Sequence, residues 1–323
     1  MSSRLAQFAT ILLIVFLLAA CGDSGDKGGA SSQTASAAAT AQPSASPAAS
    51  EADGRLLTDA DGHEVRVPDH PQRIVAPFLE DPLSALGMKP VAQWGAGGVP
   101  QQYLQDKLSD VPVLRMDDGL KPEEVLSYNP DLIIFLTSAY APSGSYEQFA
   151  KIAPTFVLST SDADWRGNLE KLGALLNEQD AAAAALARYD EKLADAKAKL
   201  GSLPSEKTAV LLQAADKGFK LFGSDFYGGV TLYQALGFGQ PAVLKGSYES
   251  YSAEQLAELA DVDYIFVLSG PGRQAPPTDN PLWQQLKAVK EGHVFEADSG
   301  YWFNLNSIAG GLIIDDVLKN VHE

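Results

Sequence analysis

PVLRMDDGLKPEEVLSYNPDLIIFL, residues 112–136, has a counterpart further along the same chain in PAVLKGSYESYSAEQLAELADVDYIFVL, residues 241–268. Each reads as a short strand, a loop, a helix carrying Glu and Leu, an Asp, and a strongly apolar strand. Asp131 is matched by Asp263, and Val113 by Val243 to within two residues. Runs without polar alternation, such as LIIFL, fit strands buried on both faces. An α/β unit that recurs in one chain indicates a molecule of two lobes.

Working outward, RIVAP (73–77), VAQW (91–94), PVLR (112–115), DLIIFL (131–136) and PTFVL (154–158) read as strands, separated by helical stretches such as EDPLSALG and SYEQFAKI. The second half repeats the alternation with KTAVLLQ (207–213), FKLF (219–222), AVL (242–244), DYIFVL (263–268) and HVFEA (293–297). Strand–helix alternation of this kind predicts mainly parallel sheets covered by helices. Between the halves, Leu169, Leu172, Leu176, Ala183, Leu186, Leu193 and Leu200 follow helical spacing. Asn177 separates a shorter helix from one of about 22 residues, roughly 33 Å long. The predicted fold is therefore α/β, with two Rossmann-like lobes at 53–164 and 201–323 joined by a connecting helix region at 165–200. The carboxyl ends of the strands would face a shared cleft, and a helix docked along both lobes would act as a strut that permits only a small closing motion.

The chain opens MSSRLAQFATILLIVFLLAAC, with Arg4, an apolar run from Phe8 to Leu18, and small residues before Cys21. The run is too short to span a bilayer. Its three regions are those of an export signal (1–20), and LAAC before Gly22 is the pattern cut to leave a lipidated cysteine. Residues 21–52 are rich in Ser, Ala, Gly and Pro and read as a flexible tether. Cys21 is the only cysteine, so the body would hold together without disulfides. A formal charge of -17 argues against nucleic acid and against adhesion to anionic lipid, leaving the acyl chain as the membrane attachment.

The four histidines, His63, His70, His293 and His322, show no metal-ligand spacing, and there is no GxSxG or phosphate-cradling glycine loop. An enzyme is disfavoured on that ground, and a His-rich cleft for a naked metal ion is lacking.

Taken in order, PQRIVAPFLEDPLSALGMKPVAQ, PEEVLSYNPDLIIF, YEQFAKIAPTFVL, YSAEQLAELADVDYIFVL and PLWQQLKAVKEGHVFEAD resemble the substrate-binding proteins of ABC importers in the class with a single helical backbone. That class serves ferric siderophores, haem and cobalamin, and its ferric hydroxamate binders are the nearest likeness. The resemblance implies a monomeric extracytoplasmic receptor that hands a ferric siderophore to a permease dimer and its ATPase. It would be lipid-anchored to the cell membrane of a Gram-positive cell or to a periplasmic membrane face of a Gram-negative one. It would need no cofactor, since iron arrives inside the ligand. It also implies Arg115 and Tyr140 as ligand contacts, and Glu80 and Glu249 as carboxylates that dock on the permease.

A wrapped Fe(III) needs hydrogen-bond donors and aromatic packing rather than metal ligands. Arg115 offers a charged planar fork, and Tyr140 a ring and a hydroxyl. Trp94, Tyr227, Tyr301 and Trp302, with Phe226 as a weaker member, stand at other loop ends that could complete the pocket. Haem and cobalamin remain as alternative ligands of the same class. Met116 and Tyr140 stand close enough to the predicted cleft to serve a haem iron.

Overall fold

The computed structural model describes residues 54–322 except Asp117 and residues 142–145. The leader, Cys21 and the tether lie outside the described residues. Twelve strands follow in chain order: β1 Arg55–Thr58, β2 Glu64–Val67, β3 Ile74–Val75, β4 Gly95–Ala96, β5 Val99–Pro100, β6 Leu132–Phe135, β7 Thr155–Val157, β8 Ala209–Ala215, β9 Gly218–Phe222, β10 Tyr248–Ser252, β11 Tyr264–Ser269 and β12 Val294–Asp298.

In the first lobe β3, β6 and β7 pair in parallel, in that order. Single parallel bridges from Val75 to Ala92 and from Gln93 to Val113 extend the sheet on the far side of β3. The strand order therefore reverses direction between β3 and β6, and the crevice at such a switch point is where open α/β sheets bind ligands. All four side chains of β6 are buried, as its unbroken apolar run predicts.

The second lobe carries one five-stranded sheet, order β10-β9-β8-β11-β12, in which only β8, β11 and β12 are parallel. Two residues, Asp216 and Lys217, separate β8 from β9. A link that short can close only an antiparallel hairpin, since a parallel return needs a crossover of a dozen residues or more. The expected strand at AVL (242–244) is a turn instead. Its place at the sheet edge is taken by β10, whose Tyr251 stacks on Phe219 and sets its hydroxyl oxygen 3.2 Å from the Val243 carbonyl. The β1–β2 hairpin was also not foreseen; Asp59 Oδ1 closes its turn by accepting from the backbone N–H of Asp61 and His63.

The duplication is visible as a shared clamp. Asp131 accepts from the backbone N–H of Gln72 and Arg73 at 2.7 and 2.9 Å, at the entry to β3. Asp263 accepts from Thr208 N at 2.8 Å, at the entry to β8, and also from Lys287 Nζ at 2.6 Å. Each acidic residue thus fixes its own strand against the parallel neighbour.

Helices Trp165–Leu176 and Gln179–Leu200 are separated at Asn177, whose left-handed φ of 60° ends the first. Asparagine tolerates that conformation better than most side chains. The buried stripe of the long helix is Ala182, Ala185, Tyr189, Ala196 and Leu200; Ala183, expected in it, is exposed. A 22-residue helix drifts against a stripe drawn from leucine spacing alone, and the small alanines let it approach its neighbours closely. Ala182 and Ala185 pack in the first lobe's core, Tyr189, Ala196 and Leu200 in the second's, and Leu186 against both.

A second tie joins the lobes. Helix Ser307–Asn320 begins at Asn306, whose side chain does not cap it. The cap comes from the first lobe, where both Asp81 oxygens accept from the helix, from Ile308 N at 3.2 Å and Ala309 N at 2.9 Å, and Tyr103 donates its hydroxyl to the same carboxylate at 3.0 Å. A carboxylate at a helix N-terminus satisfies its free N–H groups and complements its dipole. That helix also lies close against the long helix: a Cβ on Gly310 would stand 2.8 Å from the Tyr189 ring.

Candidate functional site

A cleft of about 440 Å³ opens between the lobes. The first lobe supplies Phe78 after β3, Trp94 after the 91–93 segment, and Tyr140 after β6; the second supplies Phe226 and Tyr227 after β9, and Phe303 after β12. Phe78 lies 4.9 Å from Trp94 and 4.7 Å from Tyr140, ring centroid to centroid. Across the cleft Tyr227 lies 4.3 Å from Phe226 and 4.8 Å from Phe303. These spacings are those of packed aromatic clusters.

Two of these rings sit on strained backbone. Pro77 and Phe78 are the central residues of a turn closed by Leu79 N to Ala76 O at 3.1 Å, and Phe78 has φ 69°. Tyr227 has φ 43°. Glycine or asparagine ordinarily fills such positions, and an aromatic residue there costs roughly 1–3 kcal/mol. One strained aromatic from each lobe, aimed into the same cavity, is the pattern expected of ligand contacts.

The polar lining includes two carboxylates, one from each lobe. Tyr140 donates its hydroxyl to Asp162 Oδ2 at 3.1 Å. Burial and the Asp162 carboxylate push its phenol up to about 12, so it remains protonated. Burial and the same carboxylate also raise Tyr227. Asp225 accepts from Ser247 Oγ at 2.7 Å. Asn168, 5% exposed, spends its amide N–H on Ser161 O at 2.8 Å, and its Oδ1 is buried without a partner among the described residues. The Oε1 of Gln101, 8% exposed, is in the same condition. No lysine or arginine lines the cavity among the described residues, and none of them form a His, Cys, Asp and Glu cluster fit for a metal ion.

Trp94, Tyr140 and Tyr227, expected at the site, thus line it together, as does Phe226. Arg115, Met116, Trp302, Tyr301 and Glu80 fall elsewhere than expected. The Arg115 side chain is 89% exposed and lies outside the cavity lining, with Nε 4.0 Å from Glu124. Its strand position is the outermost of the first lobe's sheet, two strands from the switch point, so the guanidinium stands at the periphery. Met116 beside it packs against a first-lobe core cluster and does not line the cleft either.

Trp302 is fully buried, stacks on Phe266 at 4.9 Å and donates Nε1 to Asp316 at 2.8 Å; it is core. Tyr301 donates to the same Asp316 oxygen at 2.7 Å and does not line the cavity. Glu80, expected to dock on a partner, is 1% exposed; its Oε1 accepts from Trp94 N, 2.6 Å away, which positions the Trp94 loop. Burial drives the Glu80 carboxyl up to about 7, and the adjacent Asp81 adds to the rise. Glu249, its expected counterpart, is half-buried on β10 and accepts from the Tyr251 hydroxyl.

Phe78, Trp165, Asp162, Asn168, Asp225 and Phe303 were missed. Proline before an aromatic gives no sign of a left-handed φ, and Asp162 and Asp225 read as ordinary loop acids. An aromatic cavity at the strand switch point, with a helix spanning both cores, leads to a sequence match over residues 82–301. The chain belongs to the periplasmic binding protein family.

Among its relatives is the iron(3+)-hydroxamate-binding protein FhuD of Bacillus subtilis, 30% identical over 312 residues that cover 90% of each chain. The Fe(3+)-citrate-binding protein YfmC of the same organism is 30% identical over 84% of this chain and 87% of its own. A crystal structure of a FhuD-fold periplasmic binding protein, a component of a ferrichrome ABC transporter from Bacillus subtilis, superposes with a TM-score of 0.68 at 26% identity, covering 82% of this chain and 98% of that one. The family's two-lobed α/β architecture is that found here.

Proposed function

We propose that this protein is the extracytoplasmic receptor of an ABC importer and binds a ferric siderophore, of hydroxamate type, in the interlobe cleft. The observation that carries this is the set of seven aromatic side chains, six from the two lobes and Trp165 from the connecting helix region, around a cavity without a metal-ligand cluster among the described residues. A hexadentate chelate already fills the iron's coordination shell. What its receptor must supply is packing for a carbon scaffold and a few hydrogen bonds, here from lining groups such as the Tyr227 hydroxyl and the Trp94 and Trp165 indoles. The hydroxamate relative supports this choice. It is a binding function, with no catalytic step.

Haem fits the cleft less well. Tyr140 is the one expected axial ligand that lines it, and its hydroxyl is already engaged by Asp162 at 3.1 Å. Delivery to a permease would engage the outer faces of both lobes. Glu80 is excluded by burial, and Glu249 is the remaining expected contact. Attachment through a lipid on Cys21 rests on the LAAC sequence. Incorporation of labelled palmitate by the wild type but not by Cys21→Ser tests it.

Trp94 and Trp165 both line the cavity, so ligand binding is readable as quenching of tryptophan fluorescence. Titration with a ferrioxamine, ferric citrate, a ferric catecholate, haemin and cobalamin should give dissociation constants of about 1 μM or tighter for the hydroxamate. Quenching by haemin or cobalamin alone would overturn the assignment.

A further inference from the structure

Three hydroxamates neutralise Fe(III), so the charge of such a complex is that of its pendant groups, whereas ferric citrate and ferric catecholates carry net negative charge. The cleft presents a definite charge to these complexes. Asp162, from the segment after β7, and Asp225, from the loop after β9, reach it from opposite lobes. Two guanidinium groups come near, each against a lining ring. Arg166 lies 4.8 Å from the Trp165 centroid and is paired with Asp190, while Arg273 lies 4.9 Å from the Phe303 centroid; neither lines the cavity.

Both carboxylates are held in the cavity wall by a hydroxyl of their own lobe: Asp162 Oδ2 accepts from Tyr140 at 3.1 Å and Asp225 Oδ2 from Ser247 Oγ at 2.7 Å. No lysine or arginine among the described residues lines the cavity to balance them.

Resting on the hydroxamate reading above, we propose that Asp162 and Asp225 make this receptor select ferric hydroxamates bearing a protonated amine over neutral hydroxamates, and reject anionic ferric chelates. The two carboxylates supply the charge preference, one from each side of the cleft.

Ferrioxamine B, which has a free ammonium group, and ferrioxamine E, the neutral closed ring with the same chelating groups, separate charge from chelation. By tryptophan quenching the full-length protein should bind ferrioxamine B at least about fivefold tighter than ferrioxamine E. That ratio should shrink as salt is raised from about 20 to 500 mM. It should fall toward one in Asp162→Asn/Asp225→Asn, and partway in Asp225→Asn alone, which leaves the Tyr140–Asp162 bond in place. Ferric citrate should bind most weakly. Equal affinities for the two ferrioxamines, a ratio unmoved by the substitutions, or tighter binding of ferric citrate would overturn charge selection, the first two leaving the hydroxamate reading intact. Failure of both ferrioxamines to quench would overturn the hydroxamate reading and charge selection with it.

Discussion

In the first lobe the cleft residues follow β3 and β6, on either side of the point where strand order reverses. In the second lobe they follow β9, which runs antiparallel to its neighbour, and β12. The lobes nonetheless share one device, an acidic residue at the entry of a buried strand that grips the backbone leading into the parallel neighbour. What the two halves keep in common is the hardware of the sheet, and where they part is the wall of the cavity. The second lobe also depends on the first, because its last helix is capped by Asp81.

The largest effect should come from breaking that dependence. Asp81→Ala leaves two helix N–H groups and the Tyr103 hydroxyl without their acceptor, and should cost about 2–4 kcal/mol in denaturant unfolding. A loss below about 1 kcal/mol would show that the long helix alone unites the lobes. The clamps come next. Asp263→Ala also strands Lys287, so it should cost about 2–3 kcal/mol against about 1–2 for the more exposed Asp131→Ala. The reverse order would mean that the shared geometry is not a shared energetic role.

A pH series probes the seam between the lobes. Burial raises Glu80 to about 7 and Asp81 to about 6, each above its ordinary value of 4.5 or 3.8. The folded chain therefore keeps protons that the unfolded chain has released, and the stability these groups provide is full below pH ~4 and lost as pH rises through ~6–7. The melting temperature should be higher at pH 5 than at pH 7.5. Glu80→Gln should narrow that gap by raising the value at pH 7.5, and an unchanged gap would refute the role of Glu80. Smallest of all, Arg115→Ala should leave affinity for a ferric hydroxamate within about twofold, as for an exposed side chain away from the cavity. A tenfold loss would place the sheet's outer edge in the site.

Local order was open to reading in advance. The matched acids Asp131 and Asp263, the break at Asn177 and the length of the helix after it all follow from patterns a few residues wide, which backbone sterics and strand burial translate directly into structure. Tyr140, Trp94 and Tyr227 were expected at the cleft because they stand in loops after strand-like runs, and they line the cavity. Trp302 and Arg115 also stand at loop ends, and no local pattern distinguishes a loop end that turns inward to core from one at a sheet's margin.

The sequence by itself determined the two-lobed α/β plan, its connecting helix and the kind of side chain around the cleft, because hydrophobic period and helix-ending residues act over short range. Only the tertiary structure decided which loops meet. Strand order puts Arg115 at the rim, the hairpin after β8 makes the second sheet mixed, and a carboxylate from one lobe caps a helix in the other across more than two hundred residues. Each of these depends on contacts between segments remote in the chain, which no window of sequence contains.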